Sequence, residues 1–449
     1  MKVYFIGIGG IGVSALAQYY LSVGHKVRGS DLARSEITDL LQEKGAKVFI
    51  RQKAGNISKD VDLVVYSPAV QKDNPELKQA RKLGIKYQAY PEALKYLTKK
   101  HFTIAVAGTH GKSTTSSMLA LVLIKAGLDP AVIIGTKLKE FGNSNFRMGR
   151  SKYLVIEACE YEESFLNYFP NIIVLTNIEA EHLDYFKNLK NILSTFKKFI
   201  SRLPKDGVLV VNQDDINILR ILNLKSQTPN PKQIPNTKSQ IKFYSIKQKE
   251  ARELKKILKV PGEHNVYNAL AALTNARVLK IPDKISFKAL SEYKGSWRRF
   301  EIKQLRISNR QLTVVSDYGH HPTEIRATLK AGREKFPKKK IWCVFQPHQY
   351  QRTYYLFSDF IKVFSQALKE NWINRLIITD IYDVAGREEK EIKQEISSKK
   401  LVKEIKNKTK EAIYIPGIKE VEKYLKKNLK GNEAVIIMGA GDIYKVFHN

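Results

Sequence analysis

Thr103-Ile104-Ala105-Val106-Ala107-Gly108-Thr109-His110-Gly111-Lys112-Ser113-Thr114-Thr115 is the stretch that decides the fold. The apolar, β-forming residues 103–107 read as a buried strand, and residues 116–125 repeat their apolar positions as a helix does. Between them lies a glycine loop. Strand, glycine loop and helix together aim backbone N–H groups and a helix N-terminus at phosphate. Lys112 adds a cation for the β- and γ-phosphates, and the Ser113 hydroxyl offers an oxygen to Mg²⁺. The common G-x-x-x-x-G-K-[ST] spacing wants glycine at 106, where this chain has Val106. The loop is therefore a short variant, Gly108-Thr109-His110-Gly111-Lys112-Ser113-Thr114, and phosphate is its expected ligand.

Upstream, residues 2–6 read as a strand, Gly7-Ile8-Gly9-Gly10-Ile11-Gly12 as a tight turn, and 13–23 as a helix. A second strand over 26–29 leads to Asp31. This is the dinucleotide fingerprint with its acidic residue, and on pattern alone it points to a nucleotide without saying which. Strand and helix alternate from there to about residue 97, with one strand over 63–67 ending in Ser67.

Downstream, strands over 153–157, 172–176 and 207–212 each end in a polar cluster. Ligands of open α/β sheets sit at the carboxyl ends of strands. Glu157 and the Glu181-His182 pair are thus candidates to meet a Mg²⁺–nucleotide. A capping or solvated carboxylate is the alternative for Glu157, and a hydrogen-bonded structural histidine for His182. Residues 224–258 read as an irregular, Lys-, Gln- and Pro-rich insertion around short strands. Asn265 and Asn268 share a face ahead of a helix over 269–279, where N-capping is the competing role. Four more strands, over 312–316, 341–345, 375–380 and 434–438, lead into Asp317–Glu324, Gln346–Thr353, residues 381–386 and Gly439–Asp442.

At 449 residues the chain is too long for one core. Its 77 Lys and Arg against 44 Asp and Glu give +33, but the lysines are spread along the chain and no nucleic-acid recognition module occurs. A solvated basic surface suited to anionic substrates is the expectation. Cys159 and Cys343 are isolated, which predicts neither zinc nor a disulfide framework and fits the cytoplasm. The apolar N-terminal run is interrupted by glycines and lacks an A-x-A-like site, so no signal peptide is expected, and no run is long enough for membrane insertion.

These motifs together, in this order, resemble the Mur ligases of peptidoglycan precursor synthesis, and the resemblance covers essentially the whole chain. It implies three α/β domains: a Rossmann-like N-terminal domain for a UDP-sugar (1–98), a central P-loop-type ATPase domain (99–297) and a Rossmann-like C-terminal domain for the amino acid (298–449). The branch most similar couples the lactyl carboxylate of UDP-N-acetylmuramate to L-alanine through an acyl phosphate. Under the resemblance Gly7, Gly9, Gly10, Gly12, Asp31 and Ser67 serve the UDP-sugar, so that the fingerprint means UDP here. Lys112, Asn268, Arg299 and Asp317 serve ATP, with Asn268 on adenine; Ser113 and Glu157 hold one Mg²⁺, and His182 a second one nearer the acyl phosphate. His320, His321, His348 and Arg352 line the amino-acid side, Arg352 as a bidentate carboxylate clamp. Partners are small molecules, with no nucleic acid, and a monomer or weak homodimer is expected. Closure of the outer domains on the central one is expected as well.

Some residues depart from the family pattern. Ser113 replaces a usual threonine, Glu157-Ala158-Cys159-Glu160-Tyr161-Glu162 replaces E-A-D-E-S-D, and Glu181 replaces an aspartate. Tyr90-Pro91 stands where an arginine is common. None of Lys187, Lys190, Lys197 and Lys198 is singled out as a carbamylated lysine. A muropeptide ligase acting on a recycled tripeptide, a non-catalytic nucleotide-sugar sensor and a nucleic-acid-binding ATPase are the competing readings.

Overall fold

The computed structural model describes residues 1–223, 240–307, 310–383 and 390–447. It contains three sheets, as the three-domain expectation requires. The first is β1 (Lys2–Ile6), β2 (Lys26–Asp31), β3 (Lys47–Ile50), β4 (Leu63–Tyr66) and β5 (Tyr87–Ala89), all parallel in the order β3-β2-β1-β4-β5. The second is β6 (Phe102–Ala107), β7 (Ala131–Leu138), β8 (Ser144–Arg147), β9 (Tyr153–Ala158), β10 (Ile172–Leu175), β11 (Val208–Asn212) and β12 (Gln240–Tyr244). Its order is β12-β11-β10-β6-β9-β7-β8, antiparallel only between β7 and β8. The third is β13 (Glu301–Ile307), β14 (Arg310–Asp317), β15 (Ile341–Phe345), β16 (Arg375–Ile378), β17 (Ala412–Tyr414) and β18 (Ala434–Met438), in the order β13-β14-β18-β15-β16-β17 with β13 antiparallel.

The chain forms two compact units. One holds Met1–Glu179, Leu189–Leu254 and Tyr267–Glu292, with the first two sheets; the other holds Ala180–Asn188, Lys255–Val266 and Tyr293–Asn449, with the third. Within the first unit the N-terminal and central domains are joined by a buried polar network. Gln18 Nε2 donates to Asn145 Oδ1 at 2.8 Å, Ser144 Oγ to Gln18 Oε1 at 2.9 Å, and Asn145 Nδ2 to Ser14 Oγ at 3.0 Å. Leaving one such group unpaired in the interior costs about 1–3 kcal/mol, so the network ties the helix Ile11–Ser22 to β8.

Parallel strands covered on both faces read as continuous apolar runs. Ile104, Ala105, Val106 and Ala107 of β6 are fully buried, which is why the run announces itself in the sequence. Several elements begin earlier than their apolar periodicity indicates. The helix read from 116 starts at Lys112 (Lys112–Lys125), the one read from 13 starts at Ile11, and the one read from 269 starts at Glu263 (Glu263–Val278). In each case the first turn is polar or glycine-rich. In the 224–258 insertion the described part forms β12, a short strand as expected, and the helix Lys249–Ile257, which was not, while 224–239 lie outside the described residues. Residues 384–386 of the polar cluster after β16 lie outside them too.

Candidate functional site

The phosphate loop follows directly from β6. Val106 pairs with Val174 on one side and Glu157 on the other, so it is a strand residue and the loop starts at Gly108. The same register puts Glu157 at the carboxyl end of β9, beside the loop. Gly108 (φ +134°) and Gly111 (φ +82°) hold backbone conformations that side chains rarely adopt. A Cβ on Gly108 would lie 2.0 Å from Thr176 Oγ1, and one on Gly111 would lie 2.4 Å from Asn268 Oδ1. The loop is pinned from β10: Thr109 N donates to the Asn177 carbonyl (2.9 Å), His110 N to Asn177 Oδ1 (2.8 Å), and Thr176 Oγ1 to the His110 carbonyl (2.6 Å).

Lys112 turns back on this loop. Its Nζ donates to the carbonyls of Gly108 (2.6 Å) and Thr109 (3.0 Å) and to Glu160 (3.1 and 3.3 Å). Burial alone would lower the Lys112 pKa, but Glu160, with Cys159 and Glu157 beside it, outweighs burial and the ammonium is held above its ordinary value. Glu160, buried at 2% exposure, is a site residue that the spacing of glycines and lysine did not single out. Ser113 Oγ donates to Glu157 Oε2 at 3.0 Å, and Gly135 N to Glu157 Oε1 at 2.5 Å. A hydroxyl and a carboxylate in contact at the mouth of a phosphate loop are the oxygen donors that suit Mg²⁺. Asn268, expected on adenine, places its Oδ1 against Gly111 and accepts from Thr115 Oγ1 at 3.1 Å, so here it braces the loop. Thr114 lies buried on the same first turn.

In the N-terminal domain Asp31 Oδ2 accepts from Gly9 N at 2.8 Å, tying the acidic residue of the fingerprint to the glycine turn. Gly7 (φ +77°) lies against Ser67, and Gly10 follows in the same turn. Gly12 faces Tyr90: a Cβ there would meet the ring at 2.9 Å. This supplies a physical role for the tyrosine that replaces the usual arginine. Glu76 is a buried acceptor beneath the sheet, taking bonds from Tyr4 Oη (2.9 Å), Ser30 Oγ (2.5 Å) and Asn56 Nδ2 (2.6 Å), and nothing in its local sequence marked it.

The C-terminal unit assembles a second cluster. Asp317 accepts from Phe300 N (2.8 Å), Gly319 N (2.8 Å) and Thr328 Oγ1 (3.1 Å), and burial pushes its pKa up. It therefore anchors the Arg298–Phe300 turn, in which Arg298 and Phe300 both have positive φ. Arg298 donates to the carbonyls of Gly439 and Gly441 and stacks on Tyr444, whereas Arg299 lies 3.9 Å from Glu324 and over the Tyr318 ring. Glu324 accepts from His320 N (2.9 Å) and His321 N (3.2 Å), fixing the turn that opens the helix Pro322–Lys335. Burial lowers the pKa of His320 to about 4, of His348 to about 2 and of His264 to about 4. The His348 ring stacks flat on Tyr382, centroids 5.3 Å apart, and lies 6.0 Å from His320.

Arg352 sits at the centre of this cluster. Its Nε donates to Glu181 Oε1 at 2.9 Å and its Nη1 to Gln349 Oε1 at 3.0 Å. Burial would raise the Glu181 pKa, but the guanidinium holds it well below the usual range. His182 follows, with φ +54°, at the start of the short helix Leu183–Phe186. The clamp expected to offer a bidentate face already has protein partners on two nitrogens. Each unit thus gathers its own predicted residues: Gly108–Thr114, Glu157 and Asn268 in the first, and His182, Arg299, Asp317, His320, His321, His348 and Arg352 in the second.

Three family models match in sequence: Mur ligase family, catalytic domain, over 2–102; Mur ligase middle domain over 106–276; and Mur ligase, glutamate ligase domain, over 298–441. The UDP-N-acetylmuramate--L-alanine ligase of Acetivibrio thermocellus is 43% identical, covering 99% of this chain and 94% of that one. That of Clostridium tetani is 42% identical over 99% and 96%. Among solved structures, the UDP-N-acetylmuramate-alanine ligase of Thermotoga maritima is 28% identical with a TM-score of 0.80, over 99% of this chain and 97% of that one. A murein peptide ligase of Psychrobacter arcticus, 22% identical, shares the fold with a TM-score of 0.71 over 100% and 97%.

Proposed function

The chain belongs to the Mur ligase family, and we propose that it joins the lactyl carboxylate of UDP-N-acetylmuramate to the amine of L-alanine with consumption of ATP, in peptidoglycan precursor synthesis. The observation that carries this reading is end-to-end similarity, 43% identical over 99% of the chain, to a ligase of that name. The intact Lys112, Ser113 and Glu157 constellation supports it. Domains 1–98, 99–297 and 298–449 take the UDP-sugar, ATP and amino acid respectively.

A carboxylate is a poor acyl donor. Its oxygen attacks the γ-phosphorus of ATP, the bond to the β-γ bridging oxygen breaks, and ADP departs. The amine of alanine then adds to the acyl phosphate carbonyl, loses a proton, and inorganic phosphate leaves as the amide forms. Lys112 serves the first step by exchanging Glu160 and the loop carbonyls for phosphate oxygens, and the Gly108–Gly111 backbone cradles the same phosphates. Mg²⁺, for which Ser113 and Glu157 are the proposed ligands of one ion and His182 of a second, supplies charge neutralisation when bound. Gly7–Gly12, Asp31 and Ser67 hold the UDP-sugar, Arg299 and Asp317 serve ATP, and His320, His321, His348 and Arg352 receive the amino acid. No described helix is long and apolar enough to cross a membrane. The proposed setting is the cytoplasm, as a monomer or weak homodimer without nucleic acid.

Phosphate release from ATP tests the reading. It should require UDP-N-acetylmuramate and free L-alanine together; a requirement for a tripeptide in place of alanine would transfer the assignment to muropeptide recycling. Release without either substrate would remove it.

A further inference from the structure

Glu76 is a fully buried carboxylate that no step of the proposed reaction uses. It lies in the first turn of the helix Pro75–Lys82, and its backbone N–H donates to the cap Asn74 Oδ1 at 2.9 Å. That cap fixes where the Glu76 side chain leaves the backbone. The two carboxylate oxygens divide their work. Oε1 accepts from Tyr4 Oη (2.9 Å), Asn56 Nδ2 (2.6 Å) and Lys53 N (3.3 Å). Among the described residues Oε2 accepts from Ser30 Oγ alone, at 2.5 Å.

Ser30 is fully buried as well, and it stands where β2 meets the glycine turn. Its carbonyl accepts from both Gly7 N and Ile8 N at 2.9 Å. The next residue, Asp31, accepts from Gly9 N at 2.8 Å, and Gly10 N turns back on the Gly7 carbonyl at 3.1 Å. The amides of residues 7–10 are thus spent on shaping the turn. What remains for an anion is the first-turn amides of the helix Ile11–Ser22. Their direction depends on Ser30 and Asp31 holding still, and of those two it is Ser30 that is tied to the interior.

We propose that Glu76 is a positioning residue for the UDP-sugar: through Oε2 it holds Ser30, and Ser30 fixes the turn whose following amides receive the ligand. This rests on the reading above that residues 7–12 hold the UDP-sugar. A carboxylate serving only the packing of the domain would make its donors interchangeable. Here one oxygen leads to the turn, while the other leads to Tyr4, Asn56 and Lys53, none of which donates to it.

The test is steady-state phosphate release, varying UDP-N-acetylmuramate, ATP and L-alanine in turn. Ser30→Ala removes the donor of Oε2, whereas Tyr4→Phe removes one donor of Oε1. Ser30→Ala should raise the KM for UDP-N-acetylmuramate about tenfold, with kcat and the KM values for ATP and alanine unchanged. Tyr4→Phe should leave all three KM values within about twofold of native. Glu76→Gln should raise the same KM as Ser30→Ala does, and combining the two should bring no further rise. Should Glu76→Gln not fold, the Ser30 and Tyr4 variants still decide. Equal shifts in those two, an unchanged KM in folded Ser30→Ala, or a parallel rise in the KM for ATP overturns the inference. Absence of phosphate release by the native protein with all three substrates would instead overturn the function it rests on.

Discussion

The phosphate loop and the Arg352 cluster solve the same problem, holding a charged group ready for an anion, in opposite ways. The loop relies on backbone: glycines at positive φ and amides pinned by Asn177, with Lys112 parked on its own carbonyls and Glu160. The cluster relies on long side chains from segments far apart in the chain, with Glu181, His320, His348 and Arg352 sharing one charge balance. Backbone machinery needs residues close in sequence and tolerates little change in shape. Side-chain machinery needs packing and tolerates little change in charge.

The sharpest break should come from shape in the loop. Gly108→Ala puts a methyl 2.0 Å from Thr176 Oγ1, and we expect ATP binding measured by calorimetry to be lost while the protein stays folded by circular dichroism. Wild-type affinity would show that the loop yields more than its contacts indicate. Lys112→Ala should follow, with a loss of about 3 kcal/mol or more of transition-state stabilisation in kcat/KM. Near-normal turnover would end its proposed role. On the other side, Arg352→Lys keeps the charge but not the fork that reaches Glu181 and Gln349. The KM for alanine should rise about tenfold or more with that for ATP unchanged, and a parallel rise in both would tell against a local contact.

A further difference concerns acid. The His264, His320 and His348 pKa values lie at about 4, 4 and 2 in the folded protein, below an unfolded value of 6.5. Between pH 6.5 and 4 the unfolded chain therefore takes up protons that the folded one does not, and stability falls as pH falls. A loss on the order of 2 kcal/mol, reduced because the rings are half-buried, should appear in hydrogen exchange between pH 7 and pH 5. It should be concentrated in residues 255–266 and 293–383. Uniform loss across both units would dissolve the contrast.

The same contrast governs what could be read in the sequence. The loop was legible because Gly108 to Ser113 are contiguous and each type has a local reason. Asp31 was found by its spacing from the glycines, although its bond to Gly9 N could not be foreseen. Glu160 was quoted without a role because it reaches Lys112 from 48 residues away, and Glu76 went unnoticed because its donors come from three separate segments. The helix starts at Lys112 and Glu263 fell in polar first turns, where apolar periodicity carries no signal. Asn268 could be placed near the nucleotide by resemblance, but only the fold shows it wedged against Gly111.

The ring of Tyr90 lying on Gly12 makes these two positions an epistatic pair. A methyl at 12 has room only if 90 carries something slimmer, while an arginine returned to 90 would have to thread the gap the ring now fills. Drift at either site is thus conditional on the other. Mutational tolerance in the N-terminal domain has to be mapped for the two together, since a single-site scan would record Gly12 as immovable when a slimmer neighbour at 90 would free it.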